Sequence, residues 1–322
     1  MGYFIGIDAG GTKTESVLLD ETGRIWCRRV RLGCNPMDHG IPETYKRIQA
    51  AVEELVEQAP GPICGLYGGI AGLDRIELPM AEYLAQQFPL GHVRTEDDGF
   101  NLISGTLGHV DGCGMVCGTG SSLFARIGGE PALHIGGLGY LIDTGGSGFE
   151  LGRDALKAAF RCLDGRGENT VLVELLTREF GKDPRKALLD IYSGGRPFIA
   201  SLAHIVFEGA NLGDEVSRAI VEEGADKLAE LTVAAARHFT GKFPVVLSGG
   251  IPTAYPSYAA LIEKKVSPQA ELMLAQVPPV YGAAVEALWD AGIAADETVR
   301  QRFMEDYRRI KSEKGVSVLQ KT

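Results

Sequence analysis

The sequence predicts an α/β fold arranged in two lobes. Apolar segments typical of strands alternate along the chain with helix-like segments. A turn rich in Gly, Ser and Thr follows an apolar segment three times, within residues 8–14, 117–122 and 248–250. With 322 residues, 45% of them hydrophobic, the chain is long enough for two domains that each bury a core.

The first lobe is predicted over residues 1–112 as an antiparallel meander followed by alternating helices and strands. Its predicted elements are strands at 3–8, 15–20 and 24–31, a helix at 43–58, a strand at 63–67, a helix at 77–87, a strand at 92–95 and a helix that begins near Asp98.

The second lobe is predicted over residues 113–322 as a sheet with a helical insertion. Its predicted elements are strands at 114–117, 122–127 and 132–135, a mostly helical stretch at 149–239, a strand at 245–247 and a charged amphipathic helix at 296–314. This last helix is expected to pack with one face toward solvent, and it can return to the first lobe.

The first turn has the composition of a phosphate-binding hairpin. Between two apolar strands it carries the Asp8 carboxylate, two glycines and hydroxyl groups, so its backbone N–H groups can surround an anion. A P-loop fits poorly, because Thr12 separates Gly11 from Lys13 and a strand-like segment follows. A Gly-x-Gly-x-x-Gly stretch between strand and helix is also missing. The three turns together predict one nucleotide held between two lobes.

Composition argues against several other classes of protein. The net charge of −10 disfavours nucleic-acid binding, which needs a concentrated basic surface. No leader sequence and no apolar stretch of about 20 residues is present, so we expect a cytoplasmic protein without a membrane partner. The six cysteines and six histidines lack the spacing of metal ligands, which predicts free, partly buried thiols and no zinc site. Cys113 and Cys117 fall on one face of a strand and fit a core position.

The ordered set of motifs resembles a known superfamily. The motifs are Gly6-Ile-Asp-Ala-Gly-Gly-Thr-Lys-Thr14, Asp97, Gly118-Thr-Gly-Ser121, Gly136-Gly-Leu-Gly139 with Gly146-Ser147-Gly148, and Ser248-Gly249-Gly250. Their order resembles that of the acetate kinase, sugar kinase, Hsp70 and actin superfamily. It is most similar to the branch that joins N-acetylglucosamine kinases with the BadF/BadG/BcrA/BcrD-type ATPases. The resemblance implies two ribonuclease-H-like lobes (the actin-like ATPase fold), ATP in the cleft between them, and a homodimer.

Phosphoryl transfer needs donors for the phosphates, a carboxylate near Mg²⁺ and a base for the acceptor hydroxyl. We expect Asp8 to organise Mg²⁺ through water, because this ion keeps much of its hydration shell; an ordinary turn aspartate is the alternative. The expected nucleotide-binding residues are Gly10, Gly11, Thr12, Lys13 and Thr14 at the phosphates, Thr119, Gly120, Ser121 and Ser122 in the second turn, and Ser248, Gly249 and Gly250 near the adenosine.

Asp97 is the expected general base, because in the resembling kinases the aspartate at this place takes the proton of the sugar hydroxyl. Asp98 is the neighbouring candidate, and it can instead cap the next helix. By resemblance, Asn35, Thr119 and Gly137 contact the sugar. Asn35 precedes a proline, so a plain turn role is its alternative.

One motif departs from the amino-sugar kinases. Where those kinases commonly have Gly-Asp-Glu-Gly-Ser, this chain has Asp143-Thr144-Gly145-Gly146-Ser147. The family's sugar-binding aspartate aligns with Thr144, and Asp143 lies one position early. Both residues are therefore candidate sugar contacts.

The resemblance implies an ATP-dependent sugar kinase that acts on N-acetylglucosamine or a close relative. The alternative is a BadF/BadG-type ATPase whose hydrolysis drives a partner protein. The activators of that type hold an iron–sulfur cluster through cysteines, and Cys117 has no second cysteine at suitable spacing. A sugar-sensing protein without catalysis is a third possibility, although the chain retains Asp8 and Asp97.

Overall fold

The structure is a computed structural model that describes residues 2–76, 78–143 and 145–315. Its two five-stranded sheets with flanking helices confirm the predicted α/β class. The chain divides into two compact units. Unit 1 contains residues 2–110 and 275–315, and unit 2 contains Asp111–Leu274.

Both sheets are built from short, regular strands. The strands are β1 (Tyr3–Ala9), β2 (Lys13–Asp20), β3 (Ile25–Leu32), β4 (Ile63–Ile70), β5 (Leu90–Glu96), β6 (Gly112–Cys117), β7 (Ser121–Ile127), β8 (Glu130–Ile135), β9 (Phe243–Ser248) and β10 (Ala270–Leu274).

The helices connect the strands and form the insertion in unit 2. They are α1 (Pro36–His39), α2 (Ile41–Val56), α3 (Met80–Gln87), α4 (Gly99–Leu107), α5 (Gly148–Leu163), α6 (Leu172–Phe180), α7 (Leu188–Ser201), α8 (Ala203–Asn211), α9 (Glu215–Ala236), α10 (Gly250–Ala254), α11 (Pro256–Lys265), α12 (Pro279–Asp290) and α13 (Glu297–Gly315), with a short 3₁₀ helix at Pro184–Ala187. No helix in the described ranges is both long enough and apolar enough to cross a membrane.

The sheet of unit 1 has the order β3-β2-β1-β4-β5. The strands β1, β2 and β3 are antiparallel, whereas β4 and β5 run parallel to β1. Every residue of β1 is buried, because helices cover both faces of the sheet. Successive side chains point to opposite faces, so Phe4 packs in the core formed with α12, whereas Ile5 and Ile7 pack in the core formed with α2.

The division of the chain differs from the expected lobes 1–112 and 113–322, because α12 and α13 belong to unit 1. One face of the unit 1 sheet needs an apolar cover, and α12 provides it. The fit is close: a methyl group on Gly6 would lie 2.6 Å from the backbone nitrogen of Ala284. The α13 helix is held by Tyr307, whose hydroxyl donates to Glu15 Oε1 of β2 over 2.8 Å.

The sheet of unit 2 has the order β10-β9-β6-β7-β8, and the insertion α5 to α9 follows its meander. Residues Cys113, Met115 and Cys117 of β6 are fully buried in one core with α5, α8 and α9. The two cysteines therefore have the core position that the sequence predicted, and all six cysteines are free thiols.

Candidate functional site

The β1–β2 turn of unit 1 is closed by its own backbone. Gly10 N–H donates to the Lys13 carbonyl over 2.9 Å, and Cys34 N–H donates to the Gly10 carbonyl over 3.1 Å. Gly11, Thr12 and Lys13 are exposed at the tip. Thr14 is already part of β2 and its side chain is buried. The turn is thus fixed at its base and open at its tip, as an anion-binding turn must be.

The ammonium group of Lys13 lies along the strand rather than over the turn. Lys13 Nζ is 2.7 Å from Glu15 Oε2. The buried Glu15 also pairs with Arg28 over 2.6 Å. Lys13 is therefore the member of the turn whose charge is already matched by a carboxylate.

Asp8 lies near the end of β1 and is buried. Its Oδ1 accepts a hydrogen bond of 2.8 Å from Asn101 Nδ2, which comes from the first turn of α4. Burial raises the pKa of Asp8 to about 6, even though the Asn101 bond lowers it. A nearby cation would favour the ionised form, and a carboxylate oxygen is the kind of ligand that Mg²⁺ prefers.

Asp97 directly follows β5 and is only 2% exposed. Its Oδ2 accepts a hydrogen bond of 2.9 Å from Gly72 N–H, whereas its Oδ1 has no hydrogen-bond partner among the described residues. Carboxylate oxygens of Asp74 and Asp97 lie within 4.8 Å of each other. Burial, followed by the neighbouring charge of Asp98, raises the pKa of Asp97 well above its usual range.

Asp98 completes an acidic cluster with Asp8, Asp74 and Asp97. Burial raises the pKa of Asp98 to about 7, and the charge of Asp8 adds to this effect. Although Asp98 immediately precedes α4, its side chain makes no capping hydrogen bond, so the capping alternative is wrong for this residue. A methyl group on Gly10 would lie 3.6 Å from Asp98 Oδ2, which places the cluster beside the turn.

Asn35 has the turn role that the sequence allowed, because its Oδ1 accepts a hydrogen bond of 2.9 Å from Met37 N–H at the start of α1. It also lies beside the other predicted residues of unit 1. A methyl group on Gly72 would be 3.3 Å from Asn35 Oδ1, and one on Gly11 would be 4.0 Å from Asn35 Cβ. The first turn, Asn35 and Gly72, whose N–H donates to Asp97, therefore lie close together.

The second turn joins β6 to β7 in unit 2. Gly118 N–H donates to the Gly120 carbonyl over 2.9 Å. The first residues of α5 hold the turn, because Gly148 N–H donates to Gly118 over 2.8 Å and Phe149 N–H donates to Thr119 over 3.2 Å. The backbone of this turn is therefore fixed against a helix N-terminus.

The third turn lies next to the second because β9 is the neighbour of β6, with Ser248 opposite Val116. Gly249 has a φ of +131°, and a methyl group there would lie 2.0 Å from the Cys117 carbonyl oxygen. Only glycine fits this position. Gly250 begins α10 with open space around it.

The loop after β8 carries the predicted sugar contacts of unit 2. Gly137 has a φ of +68°, and a methyl group there would lie 2.7 Å from Ser122 Cβ. Asp143 N–H donates to the Gly139 carbonyl over 2.9 Å, which closes the loop. Thr144 lies outside the described residues.

Sequence reasoning missed Glu150, which organises the end of this loop. Glu150 Oε2 accepts a hydrogen bond of 2.7 Å from Gly146 N–H, while Glu150 N–H donates to Ser147 Oγ over 3.3 Å. Ser121 Oγ donates to the Gly145 carbonyl over 2.6 Å, which ties the loop to the second turn. The signal was present, because a Ser followed three residues later by a Glu is a helix-start pattern.

The structure therefore brings the predicted residues together in two groups, one in each unit. In unit 1 sequence reasoning also missed Asp74 and Asn101. Asn101 lies in the first turn of the helix that was predicted to begin near Asp98, so the sequence places it close to the end of the preceding strand. No comparable signal singles out Asp74.

Residues 5–287 match the model of the BadF/BadG/BcrA/BcrD ATPase family. The N-acetyl-D-glucosamine kinase of Dictyostelium discoideum is 29% identical over 317 residues, 88% of this chain and 97% of that protein. The N-acetylmuramic acid/N-acetylglucosamine kinase of Clostridium acetobutylicum is 29% identical over 240 residues, 71% of this chain and 77% of that protein.

The fold is also that of solved sugar-kinase structures. A protein of Chromobacterium violaceum, provisionally assigned as an N-acetylglucosamine kinase, has a TM-score of 0.71 and 23% identity, over 88% of this chain and 98% of that one. The family match spans most of the chain and includes all three turns and Asp97. This chain belongs to the BadF/BadG/BcrA/BcrD ATPase family.

Proposed function

We propose that this protein is an ATP-dependent kinase that phosphorylates a hydroxyl group of an amino sugar, either N-acetylglucosamine or a close relative. The relatives from Dictyostelium discoideum and Clostridium acetobutylicum, named as kinases of such sugars, support this function. The acidic cluster of unit 1 and the glycine turns of both units supply the groups that phosphoryl transfer needs.

The observation that carries the proposal is the state of Asp97. Its carboxylate is buried, fixed at one oxygen by Gly72 and without a described partner at the other oxygen. The raised pKa makes it a stronger proton acceptor than an exposed aspartate. These are the properties of a general base whose second oxygen faces an acceptor hydroxyl.

In the proposed reaction Asp97 takes the proton of the sugar hydroxyl. The hydroxyl oxygen forms a bond to the γ-phosphorus of ATP, and the bond from that phosphorus to the β-phosphate oxygen breaks. ADP leaves with the electron pair of that bond, and the proton stays on Asp97. The proposed sugar contacts are Asn35 in unit 1 and Thr119, Gly137 and Asp143 in unit 2. Asn35 lies beside the first turn, whereas the other three lie in the second turn or in the loop after β8.

Asp8 is the proposed residue for Mg²⁺, with Asn101 orienting its carboxylate. The ion, when bound, neutralises charge on the phosphate oxygens. The proposed nucleotide contacts are backbone groups. In unit 1 they belong to Gly11 and Thr12 at the exposed tip of the first turn, and in unit 2 they belong to Gly120 and Gly249. Of these, the Gly11 N–H makes no hydrogen bond to the described residues.

The kinase is favoured over an activator with an iron–sulfur cluster. Cys117, which directly precedes the second turn, is fully buried and its thiol lies 3.6 Å from the Gly146 carbonyl. Burial raises its pKa to about 12. A buried protonated thiol is a poor cluster ligand.

The test is ADP release with Mg-ATP across a panel of amino sugars, N-acetylated sugars, neutral hexoses and no acceptor. We expect one amino sugar or N-acetylated sugar to stimulate release and to give a matching sugar phosphate by mass spectrometry. Release that is indifferent to every sugar would overturn the kinase in favour of a partner-driving ATPase. EDTA should abolish the sugar-stimulated release, and light scattering tests the homodimer that we also propose.

A further inference from the structure

A cavity of about 660 Å³ lies within unit 2. The loop after β8 forms one wall, including Gly137 and Asp143. A stripe of α9 and its C-terminal residue forms the facing wall, from Lys227 to Arg237. The cavity thus begins at the proposed sugar contacts and continues beyond them.

The loop runs along α9 in a defined direction. A methyl group on Gly145 would lie 2.8 Å from Lys227 Cβ, and one on Gly136 would lie 2.9 Å from a Leu231 methyl carbon. Arg237 is six residues further along the chain, which corresponds to about 9 Å along the helix axis. The sugar loop therefore occupies the part of the cavity near Lys227 and Leu231, and Arg237 lies at its far end.

Three cations line the cavity, and two of them are already neutralised. Lys227 Nζ lies 3.2 Å from Glu150 and 2.8 Å from Glu223. Arg153 lies 3.0 Å from the same Glu150 carboxylate. Both side chains are therefore parts of an ion-pair network around Glu150 rather than free binding groups.

Arg237 differs from these two cations. It is exposed, and its guanidinium makes no ion pair or hydrogen bond with the described residues. The cavity lining is partly apolar: Ile142 of the sugar loop is 78% exposed, and Val233 of α9, which precedes Arg237, is 48% exposed. A guanidinium at the end of an apolar surface fits a carboxylate carried on a short alkyl group.

We propose that Arg237 binds an acidic substituent of the amino sugar, so that the enzyme prefers an acceptor with an ether-linked carboxylate over the neutral sugar. This inference rests on the proposed function and names its substrate class. The lining has three acidic residues. Glu150 is neutralised by Arg153 and Lys227, so the other two, Asp143 and Glu230, fix the orientation. Asp143 and Glu230 repel a carboxylate but accept hydrogen bonds from hydroxyl groups, so the sugar ring lies toward them and the carboxylate at Arg237.

The experiment compares N-acetylmuramic acid, which carries a lactyl ether carboxylate, with N-acetylglucosamine, which does not. Wild-type protein and Arg237→Ala are assayed for kcat/KM with each sugar. We expect the variant to lose about tenfold with N-acetylmuramic acid, the value of a lost charged hydrogen bond, and less than twofold with N-acetylglucosamine. Arg237→Lys keeps the charge without the planar donor pair and should lie between the two.

Lys264→Ala is the matched control. Arg237 is the C-terminal cap of α9, and Lys264 is an exposed cation in the last turn of α11, outside the cavity lining. Both variants therefore lose a positive charge at a helix C-terminus of unit 2. Lys264→Ala should leave kcat/KM unchanged with both sugars. Melting temperatures check that all variants are folded.

The outcomes separate this inference from the proposed function. A wild-type protein that phosphorylates no amino sugar overturns both. A wild-type protein that phosphorylates amino sugars, with an unchanged selectivity ratio in Arg237→Ala, overturns the role of Arg237 alone. An equal fall in kcat/KM with both sugars in Arg237→Ala would also overturn the role of Arg237 alone.

Discussion

The two units use the same strand order with different chemistry at the turns. Each sheet has an antiparallel meander with two parallel strands added beside its first strand. In unit 1 this frame carries the buried carboxylates of Asp8 and Asp97 and the half-buried carboxylate of Asp98. In unit 2 the turns after β6 and β9 carry glycines and hydroxyl groups and no carboxylate. One backbone design thus carries carboxylates in unit 1, the proposed place of proton and metal chemistry, and glycine turns in unit 2, the proposed place of backbone contacts.

The largest effect should come from Asp97→Asn. The change removes the proposed base from unit 1 and leaves the glycine turns of both units intact. We expect sugar phosphorylation to fall by about 10²–10⁴, with an ATP dissociation constant within about threefold of wild type. Steady-state assays and calorimetric ATP titration measure the two quantities.

Asp74→Asn is the control for charge removal in the same cluster. Asp74 is exposed, and its carboxylate raises the pKa of Asp97 only as a minor cause after burial and Asp98. Its loss should lower the pKa of Asp97 and move the acidic limb of the pH–rate profile to lower pH, with the maximal rate largely kept. Wild-type-like turnover in Asp97→Asn would show that unit 1 does not supply the base.

Gly249→Ala tests unit 2, and its effect should be on stability and nucleotide affinity. The added methyl meets the Cys117 carbonyl and the backbone leaves the region that alanine prefers. We expect a loss of about 2–4 kcal/mol in the free energy of unfolding and weaker ATP binding.

Gly250→Ala is the adjacent control, because a methyl there meets no atom within 4 Å. Its melting temperature should match that of wild type. Equal melting temperatures for the two variants would contradict the tight approach of β9 and β6 at Gly249.

Asn101→Ala tests how unit 1 holds Asp8. Without the amide donor the Asp8 carboxylate loses its orienting hydrogen bond. The Mg²⁺ concentration for half-maximal rate should rise about 10–100-fold, while the rate at saturating Mg²⁺ changes less. Ser104→Ala, three residues further along α4, keeps this bond and should leave the Mg²⁺ dependence unchanged. An unchanged Mg²⁺ requirement in Asn101→Ala would argue against Asp8 as the metal residue.

The smallest effect concerns stability and pH. The pKa of Asp98 is raised from 3.8 to about 7, so the folded state keeps this proton while the unfolded state releases it. Its stabilising contribution is present below about pH 4 and is lost as the pH rises toward 7. Asp98→Asn cannot ionise, so its melting temperature should exceed that of wild type by a few degrees at pH 8 and by less at pH 5.

Glu82→Gln, at an exposed carboxylate of α3, is the control for this pH series. Its melting temperature should follow wild type at both pH values. A constant difference between Asp98→Asn and wild type across the series would contradict the raised pKa of Asp98.

The sequence predicted the elements whose burial leaves a clear pattern. The strand expected at 3–8 is β1, and the helix expected at 43–58 is α2, each within two residues. The strand β10 was not predicted, because it is a partly exposed edge strand without regular alternation of buried residues. The other edge strands, β3, β5 and β8, were predicted, so the strand that was missed is the one without a regular pattern.

The sequence predicted the candidate site only in part. Glycine turns and an aspartate after a strand are local signals, and the structure groups them within each unit. The partners of these residues come from distant segments: Asn101 reaches Asp8 across 93 positions, and Gly72 reaches Asp97 across 25. A single sequence does not show such pairs, because they depend on which strands become neighbours.

Gly6 of β1 packs against Ala284 of α12, a helix that lies near the end of the chain. During synthesis, β1 is therefore made long before the helix that covers it. The ribosome makes all of unit 2 before α12, so β1 waits on the order of 15–60 s for the helix that covers one of its faces, at about 5–20 residues per second. Unit 2 is one continuous stretch and can complete its core during that time. A nascent or truncated chain that ends before Pro279 exposes the apolar face around Phe4 and is therefore a natural client for chaperones.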